Sequence, residues 1–216
     1  MPARFSRSAN AAFRWLLVLA LLTPVLVILA AMGWVRTPYA TGEDQLLEQP
    51  VPFDHRHHVV DDGIDCRYCH TTAESAPSAG IPSASRCMSC HSQVWNDSPL
   101  LEPVRRSYYE GRPIRWRRIH RLPDFVFFDH SVHVNNGIGC ETCHGRVDRM
   151  ARIYQAKPLT MGWCLGCHRD PEKNLRPLDQ ITTMGWKAPG SQAALGAKLA
   201  KKYAIRPSTD CWACHR

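Results

Sequence analysis

One stretch of this chain is apolar without a break. From Trp15 to Trp34 it reads WLLVLALLTPVLVILAAMGW, twenty residues with no charge, about the length needed to cross a bilayer core as a helix. Trp15 and Trp34 bracket it as interfacial aromatics do, and Pro24 in its middle is tolerated in a membrane helix. Arg4, Arg7 and Arg14 precede the span and only Arg36 follows closely. That asymmetry predicts a cytoplasmic N-terminus over residues 1–14 and a transmembrane anchor over 15–35. The rival is a cleaved signal, which needs a shorter apolar region closing on a small-x-small site. Ile28 stands two residues before Ala30 and Pro38 two before Ala40, so both ends are poor and a retained anchor is expected.

Past the anchor the pattern changes. Residues 36–52 are polar and acidic and read as a linker. From 53 to 216 the apolar positions keep no long helical or strand period, and proline and glycine (16 and 13 in the chain) punctuate the whole stretch. Order appears instead as a repeated phrase: FDHRHHVVDDGIDCRYCH from Phe53 and FDHSVHVNNGIGCETCH from Phe128, with one residue inserted in the first. The repeat divides this part into a unit at 53–94, a second at 125–171 and a tail at 172–216, with an arginine- and aromatic-rich connector between the units.

The ten cysteines fall into five C-x-x-C pairs with none left over: Cys66/Cys69, Cys87/Cys90, Cys140/Cys143, Cys164/Cys167 and Cys211/Cys214. A histidine follows each pair: His70, His91, His144, His168 and His215. C-x-x-C-H is the signature of covalent c-type haem attachment. On one helical turn both thiols reach the two vinyl groups of a porphyrin, and the next residue sets its imidazole under the iron as the proximal ligand. A zinc ribbon takes two pairs per metal, which strands the fifth pair and leaves the histidines without a purpose. A disulfide framework also ignores them. Five covalently attached haem c groups are expected, held on the outer, periplasmic face of a bacterial inner membrane, where haem is attached to such chains.

This changes what the charge means. The formal +8 would suggest nucleic acid or acidic lipid, but five haems bring ten propionates and leave about −2. Arginines are then expected as propionate counterions, and the basic run Arg105–His120 is read the same way or as a subunit contact, with no nucleic-acid partner. Roughly 165 residues around five haems leave about 33 for each, too few for a large side-chain core. The fold class expected is mostly irregular with short α-helices: a multihaem cytochrome c domain with a haem-stacked core, behind one N-terminal transmembrane helix.

Each iron has a sixth position. Superposing the repeats pairs His55 with His130 and His58 with His133, while His57 falls opposite Val132. The two imidazoles of each H-x-x-H leave a helical turn about 60° apart, too divergent for one iron, so each pair is read as serving two different haems. His120, outside the repeat, is the fifth distal candidate. Methionine competes, since His/Met ligation occurs in c-type haems and raises the potential. Met150, Met161 and Met184 are the alternatives, and an all-histidine set and a mixed set stay equally open.

The F-x-H-x-x-H…C-x-x-C-H pattern resembles the class III multihaem cytochromes c. FDHRHHVVDDGIDCRYCH, LPDFVFFDHSVHVNNGIGCETCHGRV, PLTMGWCLGCHRDP and CWACHR, behind one anchor, resemble more closely the pentahaem cytochrome subunit of alternative complex III, over most of the chain. The resemblance implies a bacterial quinol:electron acceptor oxidoreductase complex. Its partners would be polytopic quinol-binding membrane subunits, an iron–sulfur subunit, and a monohaem cytochrome c or terminal oxidase as acceptor. The residues alone support an electron wire with closed coordination, no catalytic residues and no quinone pocket. A self-sufficient membrane-anchored multihaem quinol dehydrogenase is the alternative, and a haem enzyme with an open distal site is a third. No lysine replaces histidine in a haem motif, which argues against a pentahaem nitrite reductase.

Overall fold

Ser6 opens the first helix by accepting the amide of Ala9, and α1 then runs Arg7–Trp34 straight through Pro24. In this computed structural model, which describes residues 6–215, α1 is the one helix long and apolar enough to cross a membrane, and none of its residues is buried. It begins at Arg7 rather than Trp15 because the intervening residues include Ala9, Ala11 and Ala12, the best of helix formers. Arg4 of the charge argument and the terminal Arg216 lie outside the described residues. A second short helix, α2 (Pro38–Thr41), is capped by Thr37 and closed by Gly42 at φ +80, so the expected linker is partly helical. Residues up to Gly42 form one unit and the chain from Glu43 onward forms another.

The second unit is short helices joined by loops: α3 (Cys66–Cys69), α4 (Ala84–His91), α5 (Glu102–Glu110), α6 (His130–Asn135), α7 (Cys140–His144), α8 (Met161–Arg169), α9 (Gln192–Lys202) and α10 (Cys211–Cys214). No strand occurs among the described residues, only isolated bridges such as Ile138 to Leu175. Every C-x-x-C pair lies on a helix, as its spacing predicts. Local chemistry starts some of these turns: the Asp65 carboxylate caps α3 through the Arg67 amide, and the Thr160 hydroxyl caps α8 through that of Trp163, each satisfying an N–H the helix leaves open.

The inserted residue of the first repeat has a structural home. His57–Asp61 form a π turn in which Asp62 N donates to His57 O at 2.9 Å, the conformation that takes one extra residue into a helix. The phrase then returns to register. Ile64 N donates to His58 O at 2.8 Å, and Ile138 N donates to the matching His133 O at 3.1 Å.

Buried apolar side chains are few. Val51, Met88 and Val104 make one cluster where α4 meets α5, flanked by Leu101, Ile114 and Trp116. Leu175, Ile181 and Leu199 are buried elsewhere. Helix α9 lies against the Pro171–Lys173 turn after the fourth motif, so closely that a Cβ on Gly196 would stand 2.1 Å from Glu172 O.

Candidate functional site

The repeated phrase builds the same object twice. Its aspartate starts the turn: Asp54 Oδ1 accepts from Arg56 N and Asp129 Oδ1 from Ser131 N, both at 2.8 Å. Its phenylalanine is a wedge between the two imidazoles. Phe53 meets His55 edge-on with ring centres 4.7 Å apart and stacks on His58 at 4.4 Å. Phe128 meets His130 edge-on at 4.8 Å and lies against His133 at 4.5 Å, its plane tilted by 31°. The second histidine of each pair is tied back to the aspartate's carbonyl, His58 Nδ1 to Asp54 O at 3.0 Å and His133 Nδ1 to Asp129 O at 2.7 Å. Neither the aspartate nor the phenylalanine is singled out by the haem motifs; their recurrence in the two phrases is the signal that could have found them.

Held this way, the imidazoles face the histidines of the C-x-x-C-H motifs. His58 and His91 have ring centres 6.1 Å apart, His130 and His144 6.2 Å, and His133 and His168 6.0 Å. An imidazole nitrogen lies roughly 1 Å from its ring centre and metal–imidazole bonds are about 2.0–2.1 Å, so two rings on opposite sides of one metal sit about 6 Å apart. The spacing fits an iron between each pair. His55 lies in electrostatic reach of His70, the remaining motif of the first unit.

The other ring nitrogens support the same assignment. In the motifs, His70 Nδ1 bonds Gly80 O at 2.7 Å, His91 Nδ1 bonds Val94 O at 2.9 Å and His168 Nδ1 bonds Ser208 O at 2.7 Å. His130 Nδ1 bonds Pro77 O at 2.7 Å. A carbonyl accepts only from N–H, so the proton sits on Nδ1 and leaves Nε2 bare for a metal. Burial pushes His144 down to about 3 and His55 to about 4, and lowers His133. These rings are neutral near pH 7, the form that ligates.

His57 points elsewhere, bonded through Nδ1 to Asp61 at 2.7 Å on the surface. His120 presents its Nε2 to His144 Nδ1 at 3.2 Å. Met150 is buried beside Gly145, Met184 is half-buried, and Met161 is exposed at the start of α8. Arg176 is 7% exposed and its Nε is a buried donor without a partner; the Cys140 thiol beside it is lowered chiefly by its hydrogen bond with Cys66, with a smaller contribution from the guanidinium. That orphaned donor beside an attachment cysteine fits a propionate.

Neighbouring motifs meet in a definite order. Tyr68 of the first motif bonds Ser89 of the second at 3.0 Å. The thiols of Cys66 and Cys140, from the first and third, contact one another. Burial chiefly raises the Cys143 thiol, and Cys167 and Cys164 of the fourth motif lie in its electrostatic reach; burial likewise raises Cys164, which has Cys214 of the fifth motif in reach. Phe127 N also donates to Cys214 O at 2.7 Å.

Residues 126–216, which hold the third to fifth motifs, match the family described as cytochrome c7 and related cytochrome c. A 120-residue stretch is 35% identical to the menaquinone reductase, multiheme cytochrome c subunit, of Nitratidesulfovibrio vulgaris, covering 55% of each chain. Over residues 126–216 the chain is similar to that cytochrome family. It spans about half the length of that curated relative. From Glu43 onward short helices carry the five C-x-x-C pairs, with α5, α6 and α9 among them and loops between. Among the described residues no group of three or more His, Cys, Asp or Glu side chains gathers as a metal cluster; the paired imidazoles suit an iron that takes its other four ligands from a porphyrin.

Proposed function

We propose that this chain is the electron-transfer subunit of a membrane quinone-linked oxidoreductase of the alternative complex III type, with five covalently attached haem c groups. The observation that carries it is the spacing of the histidine pairs, 6.0–6.2 Å for three of them, each joining a C-x-x-C-H motif to a histidine of the repeat. Bound haem supplies one-electron chemistry. The cysteines of the five motifs would tether it, and the motif histidines His70, His91, His144, His168 and His215 would each supply one ligand to its iron. His55, His58, His130 and His133 would supply the second protein ligand at the first four sites. For the fifth, at His215, one of Met150, Met161 and Met184 or no protein ligand remains.

The contacts between motifs run in the order second, first, third, fourth, fifth. Electrons therefore enter or leave at the ends, near Cys87–His91 and near Cys211–His215. A quinol oxidised on a polytopic partner subunit would release two protons there, and its two electrons would pass one at a time through an iron–sulfur subunit and then this chain to a monohaem cytochrome c or terminal oxidase. Helix α1 is the anchor, with the haem domain on the periplasmic face. The relative's name, a menaquinone reductase, favours a second reading in which electrons run the other way, into the quinone pool.

The test is purification from native membranes in mild detergent, with mass spectrometry of the accompanying chains. Co-purification of a polytopic subunit and an iron–sulfur subunit is expected. A chain that emerges alone, yet is reduced by quinol, makes it a self-sufficient dehydrogenase and sinks the proposal. Incubating the complex with menaquinol, then with menaquinone and a reduced c-type cytochrome, distinguishes the two directions.

A further inference from the structure

We propose that His120 is a positioning residue for the His144 imidazole, acting through a histidine-to-histidine hydrogen bond, and not a ligand to any iron. The inference rests on the proposed haem sites. His120 Nε2 and His144 Nδ1 are 3.2 Å apart, with the two rings at 78° and their centres 4.3 Å apart. That is the edge-on approach of a donor N–H to a ring lone pair. His144 also faces His130, with centres 6.2 Å apart and planes within 10°. His120 Nε2, the nitrogen a distal ligand would offer, is spent on His144.

The backbone around His120 is built to hold it there. Arg118 Nε donates to His120 O at 3.1 Å, and the next amide, Arg121 N, donates to Oε1 of the buried Gln155 at 3.4 Å.

The consequence is specific to the third site. The histidines of the first, second and fourth motifs give Nδ1–H to backbone carbonyls. His144 gives its proton to an imidazole nitrogen, a stronger base than a carbonyl oxygen, which makes the His144 ring a stronger donor to its metal. A stronger donor stabilises the oxidised iron, so the third site is held at a lower potential than its own ligand pair would set.

The experiment compares the haem-loaded full chain with His120→Leu and His120→Gln. Haem per chain is measured first: a wild-type value below five sinks the five-haem reading, whatever the two variants do. With five present, spectroelectrochemical titration of His120→Leu should show one component moved to higher potential, the others in place, and all low-spin haem retained. In His120→Gln, whose amide oxygen still accepts the bond, the same component should move less. Conversion of one haem to a high-spin, carbon-monoxide-binding form in His120→Leu would make His120 a sixth ligand after all. A titration unchanged in both variants would remove any role for the bond. If the Leu variant does not accumulate, His120→Ala, which also lacks an acceptor, takes its place, and an unmoved midpoint there overturns the proposal.

Discussion

Replacing His133 by alanine is the sharpest test of the paired-imidazole geometry. The His133 ring is opposed by His168 at 6.0 Å, so its loss should uncover the sixth position at the fourth motif and no other. With five haems, one-fifth of the iron should pass from low spin to high spin and bind carbon monoxide. The fold should survive. The variant loses one hydrogen bond to Asp129 O, worth about 0.5–1.5 kcal/mol, and one ring contact with Phe128, worth a further 0.5–1.5 kcal/mol or so. A loss of about 1–3 kcal/mol is small enough for a chain that the proposed haems would tether through its thiols. The assay is electron paramagnetic resonance of the oxidised protein, with carbon monoxide difference spectra of the reduced form. His57→Ala is the control, because His57 is turned to solvent and held by Asp61; it should change neither signal. An unchanged spin balance in His133→Ala, or a change of the same size in His57→Ala, would refute the pairing.

Other outcomes rest on the same structure. Cys87→Ala with Cys90→Ala should lower haem per chain by one, read by pyridine haemochrome assay against protein mass. Gly196→Ala should destabilise the chain in thermal unfolding: the helix gains about 1 kcal/mol of propensity, but the Cβ would stand 2.1 Å from Glu172 O, and overpacking against backbone costs about 1–3 kcal/mol or more. Asp65 is held down to about 2, chiefly by its hydrogen bond with Arg67. A carboxylate depressed below its unfolded value stabilises the fold above that value, about 3.9, and loses the contribution as pH falls toward 2. Acid titration of melting temperature should therefore show Asp65→Asn flatter than wild type below pH 4 and lower at pH 7.

How much of this was legible in the sequence depends on range. The five helical turns were, because C-x-x-C-H fixes its own spacing and its thiols must share a face. The apolar span was, because twenty uncharged residues need no partner to be recognised, although the helix extends back to Arg7 where nothing in the sequence stops it. The divergence of the H-x-x-H pair follows from helical geometry alone, and the rings do diverge, His130 toward His144 and His133 toward His168. Which motif each ring meets was not legible, since those contacts join residues brought together by the fold. The same holds for His120, whose partner lies 24 residues on, and for Arg176, whose orphaned Nε becomes visible only once Gly139 and Cys140 are seen beside it. The π turn was half-written: the alignment of the two phrases demanded an extra residue somewhere after His58, but not how the backbone would absorb it.

The H-x-x-H turn carries a further consequence. Three residues of helix, braced by one aspartate and one phenylalanine, set the offset between two neighbouring imidazoles. Electron tunnelling falls off steeply with separation, so in most proteins a rate would inherit every breathing motion of the core between donor and acceptor. Here the ruler between adjacent sites is a single backbone turn, closed by hydrogen bonds of 2.7–3.0 Å from His133 and His58 to their own aspartates. The loops around it can lengthen, shift or fluctuate without stretching that ruler. A chain with so little packed interior can be soft almost everywhere and still keep time.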